Sequence, residues 1–184
     1  CDVFELLNSA ESNLFQIAEN NMSKQALSMK NLLGEAIQEI EKASKNKDGI
    51  SGVASGFHDL DKITAGWQRS DMIVLAARPG MGKTAFILSM ARNTAIDHKM
   101  GVAIFSLEMS SVQLVKRLIA SEARIDSVKL RKGELEDHEF QQMHSRIVNL
   151  SSAPIFIDDT PGLSIFDFRA KCRRLKAQHN VELI

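Results

Sequence analysis

The residues most able to do chemistry stand together at Ala77-Arg78-Pro79-Gly80-Met81-Gly82-Lys83-Thr84, directly after the apolar run Met72-Ile73-Val74-Leu75-Ala76 and at the start of a helical pattern. Such a loop binds phosphate. Gly80 and Gly82 allow the backbone to curl so that successive N–H groups converge on an oxygen, and the helix that begins there adds the positive end of its dipole. Lys83 supplies a point charge for β- and γ-phosphates, and Thr84 a hard hydroxyl ligand for Mg²⁺. The pattern G-x-x-x-x-G-K-[ST] is met except at its first position, where the small residue Ala77 replaces glycine. Arg78, Pro79, Gly80, Met81, Gly82, Lys83, Thr84 and Ala85 are therefore the candidate nucleotide contacts. The expected ligands are ATP and Mg²⁺, with Thr84 the metal-binding residue. Arg78 and Pro79 are expected to serve solvent or loop shape more than phosphate.

A second candidate is Glu108, which follows the strand-like run Val102-Ala103-Ile104-Phe105-Ser106-Leu107. At the carboxyl end of a strand beside the phosphate loop, a carboxylate could orient or deprotonate the water that attacks a γ-phosphate. The residue types alone equally allow it to serve a helix dipole. A third candidate is the acidic pair after Ile155-Phe156-Ile157: Asp158 and Asp159 either approach a metal or shape the turn into Thr160-Pro161-Gly162.

The elements that must position these residues are legible as periodicity. Runs at Met72 to Ala77, Val102 to Ser106, Ile155 to Ile157 and from Val181 to Ile184 alternate with helical patterns at about Lys83–Asp97, Ser111–Ala123, Glu136–Leu150 and Ser164–Gln178. This is βαβ logic, and runs without strict alternation suit a mostly parallel sheet buried on both faces. Ahead of it, Val3 to Ala18 carries apolar residues at steps of three and four. A second amphipathic helix carries the stripe Met29, Leu32, Leu33, Ala36, Ile37, Ile40 and Ala43 and ends at Lys47-Asp48-Gly49. The Gly- and Ser-rich stretch Asp48 to Gly56 reads as a hinge. Periodicity leaves open whether the helix folds back on its own domain or lies on a neighbouring subunit.

Composition sets the bounds. The 184 residues are 44% hydrophobic and 25% charged, and 23 basic residues balance 23 acidic ones. A net charge of zero excludes bulk attraction to nucleic acid, so any DNA contact is local. The basic run Arg169, Lys171, Arg173, Arg174 and Lys176 reads first as a solvated helix face. Cys1 and Cys172 lack metal-ligand spacing and fit a reducing compartment, and the five histidines form no pair at metal spacing. Trp67 reads as a packing residue before a base-stacking one. No run approaches the roughly 18 apolar residues of a membrane span, so a cytoplasmic protein without membrane partners is expected. A start on Cys1 and a stop at Ile184 within an apolar run suggest an excerpt of a longer chain.

With these motifs in place, the stretch Ser55-Gly56-Phe57-His58-Asp59-Leu60-Asp61 through Ala65-Gly66, the phosphate loop, Phe105-Ser106-Leu107-Glu108-Met109-Ser110, Ile119-Ala120-Ser121-Glu122-Ala123 and Ile157-Asp158-Asp159-Thr160-Pro161-Gly162-Leu163-Ser164-Ile165 resemble the DnaB family of hexameric replicative helicases. The resemblance spans nearly the whole chain. It implies a RecA-like α/β ATPase core over residues 51–184, truncated at its C-terminus, preceded over residues 1–50 by a helical linker arm with its linker helix at about 29–45. It further implies ATP hydrolysis at the interfaces of a homo-hexameric ring, translocation on single-stranded DNA, and primase and a helicase loader as partners.

Carried over residue by residue, the resemblance makes Lys83 and Glu108 the catalytic residues and Thr84 the Mg²⁺ ligand. The Walker B aspartate is implied to follow Ile184 on the strand that Val181 begins, which leaves Asp158 and Asp159 to the turn. The arginine finger and DNA loops are implied to lie further along, so the chain by itself is expected to bind nucleotide weakly and turn it over little. Arg69-Ser70-Asp71 departs from the family's usual Gly-Asp turn. Alternatives are a recombinase or regulatory ATPase of the same superfamily, or a non-catalytic scaffold with a relic nucleotide site.

Overall fold

The computed structural model describes residues 28–45 and 49–184, and the helix expected from Val3 to Ala18 lies outside them. The chain divides into two compact units, residues 1–45 and 46–184. In the first, helix α1 (Met29–Lys45) forms over the predicted stripe. Met29, Leu32, Leu33, Ile37 and Ile40 are all exposed.

The second unit is α/β. Its order is α2 (His58–Thr64), α3 (Lys83–Arg92) running on into a π-helical turn (Asn93–Asp97), β1 (Gly101–Phe105), α4 (Ser111–Ala123), α5 (Ser127–Lys132), α6 (Asp137–Ser151), β2 (Ile155–Asp158), α7 (Ile165–His179) and β3 (Val181–Leu183). The sheet is parallel throughout, in the order β2-β1-β3. In register, Val102 lies opposite Ile155 and Ile104 opposite Ile157. Parallel strands need crossovers, and here α4 to α6 carry the chain from β1 to β2 and α7 carries it from β2 to β3.

Side chains alternate across the strands, so each face takes different cover. Ile104 packs with Leu88 of α3 and with Leu114 and Leu118 of α4, Val102 packs with Ala91 of α3 and Ala95 of the π-helical turn, and Ile155 and Ile157 extend the same surface. The opposite face is covered by α7: Phe105 meets Phe168 edge-on at 4.8 Å and Phe156 stacks on His179 at 4.4 Å. This double cover explains why the strand runs lack polar alternation.

Helix ends follow their caps. The Ser164 hydroxyl accepts from Asp167 N–H at the start of α7, Asp126 accepts from Val128 N–H at α5, and Glu136 with Glu139 forms a capping box at α6. Arg124 and Asn180 end α4 and α7 in left-handed conformations.

Two sequence expectations change. Residues 72–77 form no strand: they join no ladder and lie exposed, Met72 at 87% and Val74 at 76%. A strand exists only by pairing, and the sheet of the described residues pairs β2, β1 and β3 alone, the last presenting just three residues. Of the stretch Asp48 to Gly56 read as a hinge, the part from Val53 to Ser55 is packed, with Ser55 fully buried, while Gly49 to Gly52 is not buried. Val53 bridges to Trp67, the Asp61 carboxylate accepts from Ser55 N–H at 2.8 Å and Gly56 N–H at 3.0 Å, and Thr94 donates its hydroxyl to the Ala54 carbonyl at 2.8 Å. The helix expected from about Lys83 to Asp97 keeps those bounds and widens into a π-helical turn at Asn93. Two short helices, α2 and α5, carry too few turns to show in the periodicity.

Ser70 sits at φ 70, a left-handed position that a glycine takes without strain. Trp67 packs as expected, its indole N–H 3.2 Å from the Met90 sulfur. Burial pushes the Cys172 thiol up from its ordinary value. Among the described residues no helix is long and apolar enough to cross a membrane.

Candidate functional site

The phosphate loop has the backbone its sequence requires. Gly80 and Gly82 take φ values of 79 and 87, and a Cβ added at either would meet nothing within 4 Å. The glycines therefore serve conformation rather than packing, and the space before the loop is open. Arg78 and Met81 close a turn through a 3.2 Å backbone bond, and the first helical bond of α3 runs from Phe86 N–H to the Gly82 carbonyl. Helix geometry then directs the amides of Lys83, Thr84 and Ala85 out of the N-terminal end. The first turn holds no acidic residue.

Within the loop, Arg78, Pro79, Met81 and Lys83 are exposed and Thr84 is half-buried. No ion pair holds Lys83 among the described residues. An anion fits this chemistry: converging N–H groups, a free ammonium and no competing carboxylate. One hydroxyl cannot hold Mg²⁺ by itself, and no cluster of three metal-binding side chains exists among the described residues. Thr84 suits Mg²⁺ that takes its other oxygens from phosphate and water.

The loop's orientation comes from the packed stretch before it. Phe57 stacks on Phe86 at 4.9 Å, which ties the segment after Ser55 to the first turn of α3. Arg92, at the other end of the helix, bonds Glu122 of α4 at 2.7 Å and Asp97 at 2.6 Å, and these carboxylates raise its pKa further.

Glu108 lies in the loop between β1 and α4. It is exposed, and with Ala85 of the phosphate-loop helix it lines an open cleft of about 880 Å³. The structure thus brings Glu108 to one cavity with Ala85, Leu88 and Ser89 of α3, lined also by Lys116, Arg117 and Arg131, while Lys83 and Thr84 do not line it. The acidic pair is drawn elsewhere. Asp158 accepts from Lys171 and from Thr160, bonds that hold its carboxyl down at about 2. Asp159 accepts from the backbone N–H and hydroxyl of Ser111, which lower its pKa as well. Both carboxylates are engaged in holding the chain, as a turn-forming pair would be. Lys171 and Lys176 of the basic run are paired, with Asp158 and Glu182.

Sequence reading missed Asp61 as the anchor of the segment before the loop. A carboxylate six residues after the amide it binds follows no common cap spacing.

Comparison with known proteins bears on this site. Residues 52–184 match the family model described as the DnaB-like helicase C terminal domain. The chain is 45% identical over its whole length to the replicative DNA helicase DnaB of Rhodothermus marinus, covering 19% of that protein. It is 40% identical to the replicative DNA helicase DnaC of Bacillus subtilis (strain 168), again over its whole length and covering 40% of it. The chain therefore spans about a fifth to two fifths of these relatives.

Among solved structures, an isolated ATPase domain superposes with TM-score 0.75 at 34% identity, over 84% of this chain and 54% of that one. A DnaB-like replicative helicase studied for its interactions with primase superposes with TM-score 0.76 at 32% identity, over 94% and 39%. The fold is thus the RecA-like one of helicase ATPase domains, and the chain belongs to the family of DnaB-like replicative helicases.

Proposed function

We propose that the chain is the linker arm, residues 1–50, and the first part of the ATPase domain, residues 51–184, of a replicative DNA helicase. The whole protein hydrolyses ATP at the interfaces of a hexameric ring, translocates on single-stranded DNA and unwinds duplex. The observation that carries this reading is the convergence of Glu108 and the phosphate-loop helix on one cleft, in a chain 40 to 45% identical along its whole length to replicative helicases.

The amides at the head of α3 and the Lys83 ammonium bind the β- and γ-phosphates and offset the charge that gathers there as the terminal phosphoryl leaves. Gly80, Met81 and Gly82 shape the loop, Arg78 and Pro79 set its entry, and Ala85 brings the third amide. Thr84 would hold Mg²⁺ through its hydroxyl, and the ion would supply positive charge against the phosphates. Glu108 orients the attacking water and accepts its proton.

Helix α1 docks through Met29, Leu33, Ile37 and Ile40 on a neighbouring subunit, as the family's linker helix does. Five exposed large apolar side chains on one helix support this, because such a stripe is stable when covered. Single-stranded DNA, a primase and a loader are the partners of the assembled ring, and its compartment is the cytoplasm. The structural neighbour studied for its interactions with primase supports the second of these partners.

The test is ATP turnover by the full-length protein with and without single-stranded DNA, beside Lys83→Ala, followed by strand unwinding. DNA-stimulated turnover that Lys83→Ala abolishes, with unwinding, supports the motor. Turnover without unwinding points to a recombinase or regulatory ATPase, and absence of turnover from a folded ring points to a scaffold.

A further inference from the structure

The loop that carries Glu108 has no secondary structure of its own, yet it is tied at both ends to the same stretch of chain. At its start, Ser106 N–H donates to the Asp158 carbonyl at 2.9 Å. At its end, the Asp159 carboxylate accepts from Ser111 N–H at 2.7 Å and from the Ser111 hydroxyl at 3.0 Å through a single oxygen. Between them, the Ser106 hydroxyl donates to the Met109 carbonyl and accepts from Met109 N–H.

Helix α4 needs the second tie. Its N-cap residue Ser110 makes no capping bond with its side chain, so the first-turn amide at Ser111 is satisfied from the end of β2, 48 residues further along the chain. A carboxylate there also matches the helix dipole, and its bonds are of the stronger, charge-assisted kind. Asp158 holds the anchoring strand end in turn, through Thr160 and Lys171. Glu108 itself is exposed and bonded by none of these groups, so the loop alone sets where its carboxylate stands.

We infer that Asp159 is a positioning residue for Glu108: its grip on Ser111 fixes the loop that holds Glu108 at the cleft it shares with the phosphate-loop helix. The inference rests on the assignment of Glu108 as the carboxylate that handles the attacking water. Chemistry is sensitive to such placement, since a shift of about 1 Å in a catalytic group can cost on the order of 100-fold in rate. Nucleotide binding is assigned to the phosphate loop, which takes no part in these ties, and is left alone.

The experiment uses the full-length ring and steady-state ATP turnover with single-stranded DNA. Asp159→Ala is expected to lower kcat by about 10- to 100-fold while KM for ATP stays within about twofold. Asp159→Asn, which keeps an acceptor oxygen, is expected to recover to within a few-fold of the parent. In a Glu108→Gln background, Asp159→Ala is expected to add nothing, because two residues acting through one step are not additive.

An unchanged kcat in Asp159→Ala beside an inactive Glu108→Gln overturns this inference alone. A fully active Glu108→Gln overturns the assignment of Glu108, and this inference with it. Should Asp159→Ala fail to assemble, Asp159→Leu, which is similar in shape and also lacks an acceptor for Ser111 N–H, carries the same comparison: a lowered kcat at constant KM supports the role, and an unchanged kcat removes it.

Discussion

Arg92 closes the C-terminal end of the phosphate-loop helix onto Glu122 of α4, with Nε 2.7 Å from a carboxylate whose side chain is 7% exposed. The pair joins the helix that begins at Lys83 to the helix that follows Glu108, so the two walls of the cleft are braced away from the chemistry. Removing one partner leaves a nearly buried charge. Arg92→Ala is expected to destabilise the domain by about 2–3 kcal/mol, at the low end for breaking a buried pair because Arg92 keeps some solvent contact. Chemical denaturation of the assembled protein measures it, and a loss below about 0.5 kcal/mol would place the pair with ordinary surface ion pairs.

Thr94 is fully buried and donates to the Ala54 carbonyl, joining the π-helical turn to the segment before α2. Thr94→Val keeps the shape and strands that carbonyl, at a cost of about 1–3 kcal/mol. Thr94→Ser keeps the donor and should lose less. Equal losses in the two variants, read from denaturation midpoints at constant slope, would show that the methyl group matters and the bond does not.

Asp158 gives a pH signature. Its folded pKa of about 2 lies below the ordinary 3.8 of an aspartate, chiefly through the Lys171 and Thr160 bonds. A carboxylate lowered on folding contributes stability that is complete above its unfolded pKa and lost as pH falls through the folded one. The stability gap between the parent and Asp158→Asn should therefore hold constant from neutral pH to about 4 and narrow between about 4 and 2. A gap independent of pH over that window would remove the charge from the account.

The exposed stripe of α1 tests assembly. Ile37→Asp, at a side chain 55% exposed in the described chain, should leave the domain's melting unchanged and shift the full-length protein from a ring toward smaller species at equal concentration. Sedimentation or mass photometry reads this directly, and an intact ring in the variant would exclude α1 as the docking helix.

The sequence shows what depends on neighbouring residues and hides what depends on distant ones. Helix α4 is bounded at Ser111 and Ala123 by periodicity alone, and the phosphate loop by the types of a few consecutive residues, because propensity and turn chemistry are local. Residues 72–77 look like a strand to the same reasoning and are not one here, since pairing requires a partner that periodicity does not supply. The stretch at Val53 to Ser55 has hinge-like composition, yet Asp61 and Thr94 bury it through bonds spanning 6 and 40 residues. Asp158 and Asp159 read as one pair in the sequence. Their separate partners, Lys171 and Ser111, lie in different helices that no spacing rule connects.

The widened turn at Asn93–Asp97 buries Thr94, Ala95 and Ile96 in succession. A π turn advances about one residue more per revolution than an α turn, so it accommodates an extra residue within the helix. The same rod thus meets two demands of different phase: at its head it leaves its first amides unpaired, and at its tail it fits Ala95 against Val102 of the sheet. The turn works as a vernier between them, letting the face toward the sheet be set without twisting the loop at the other end.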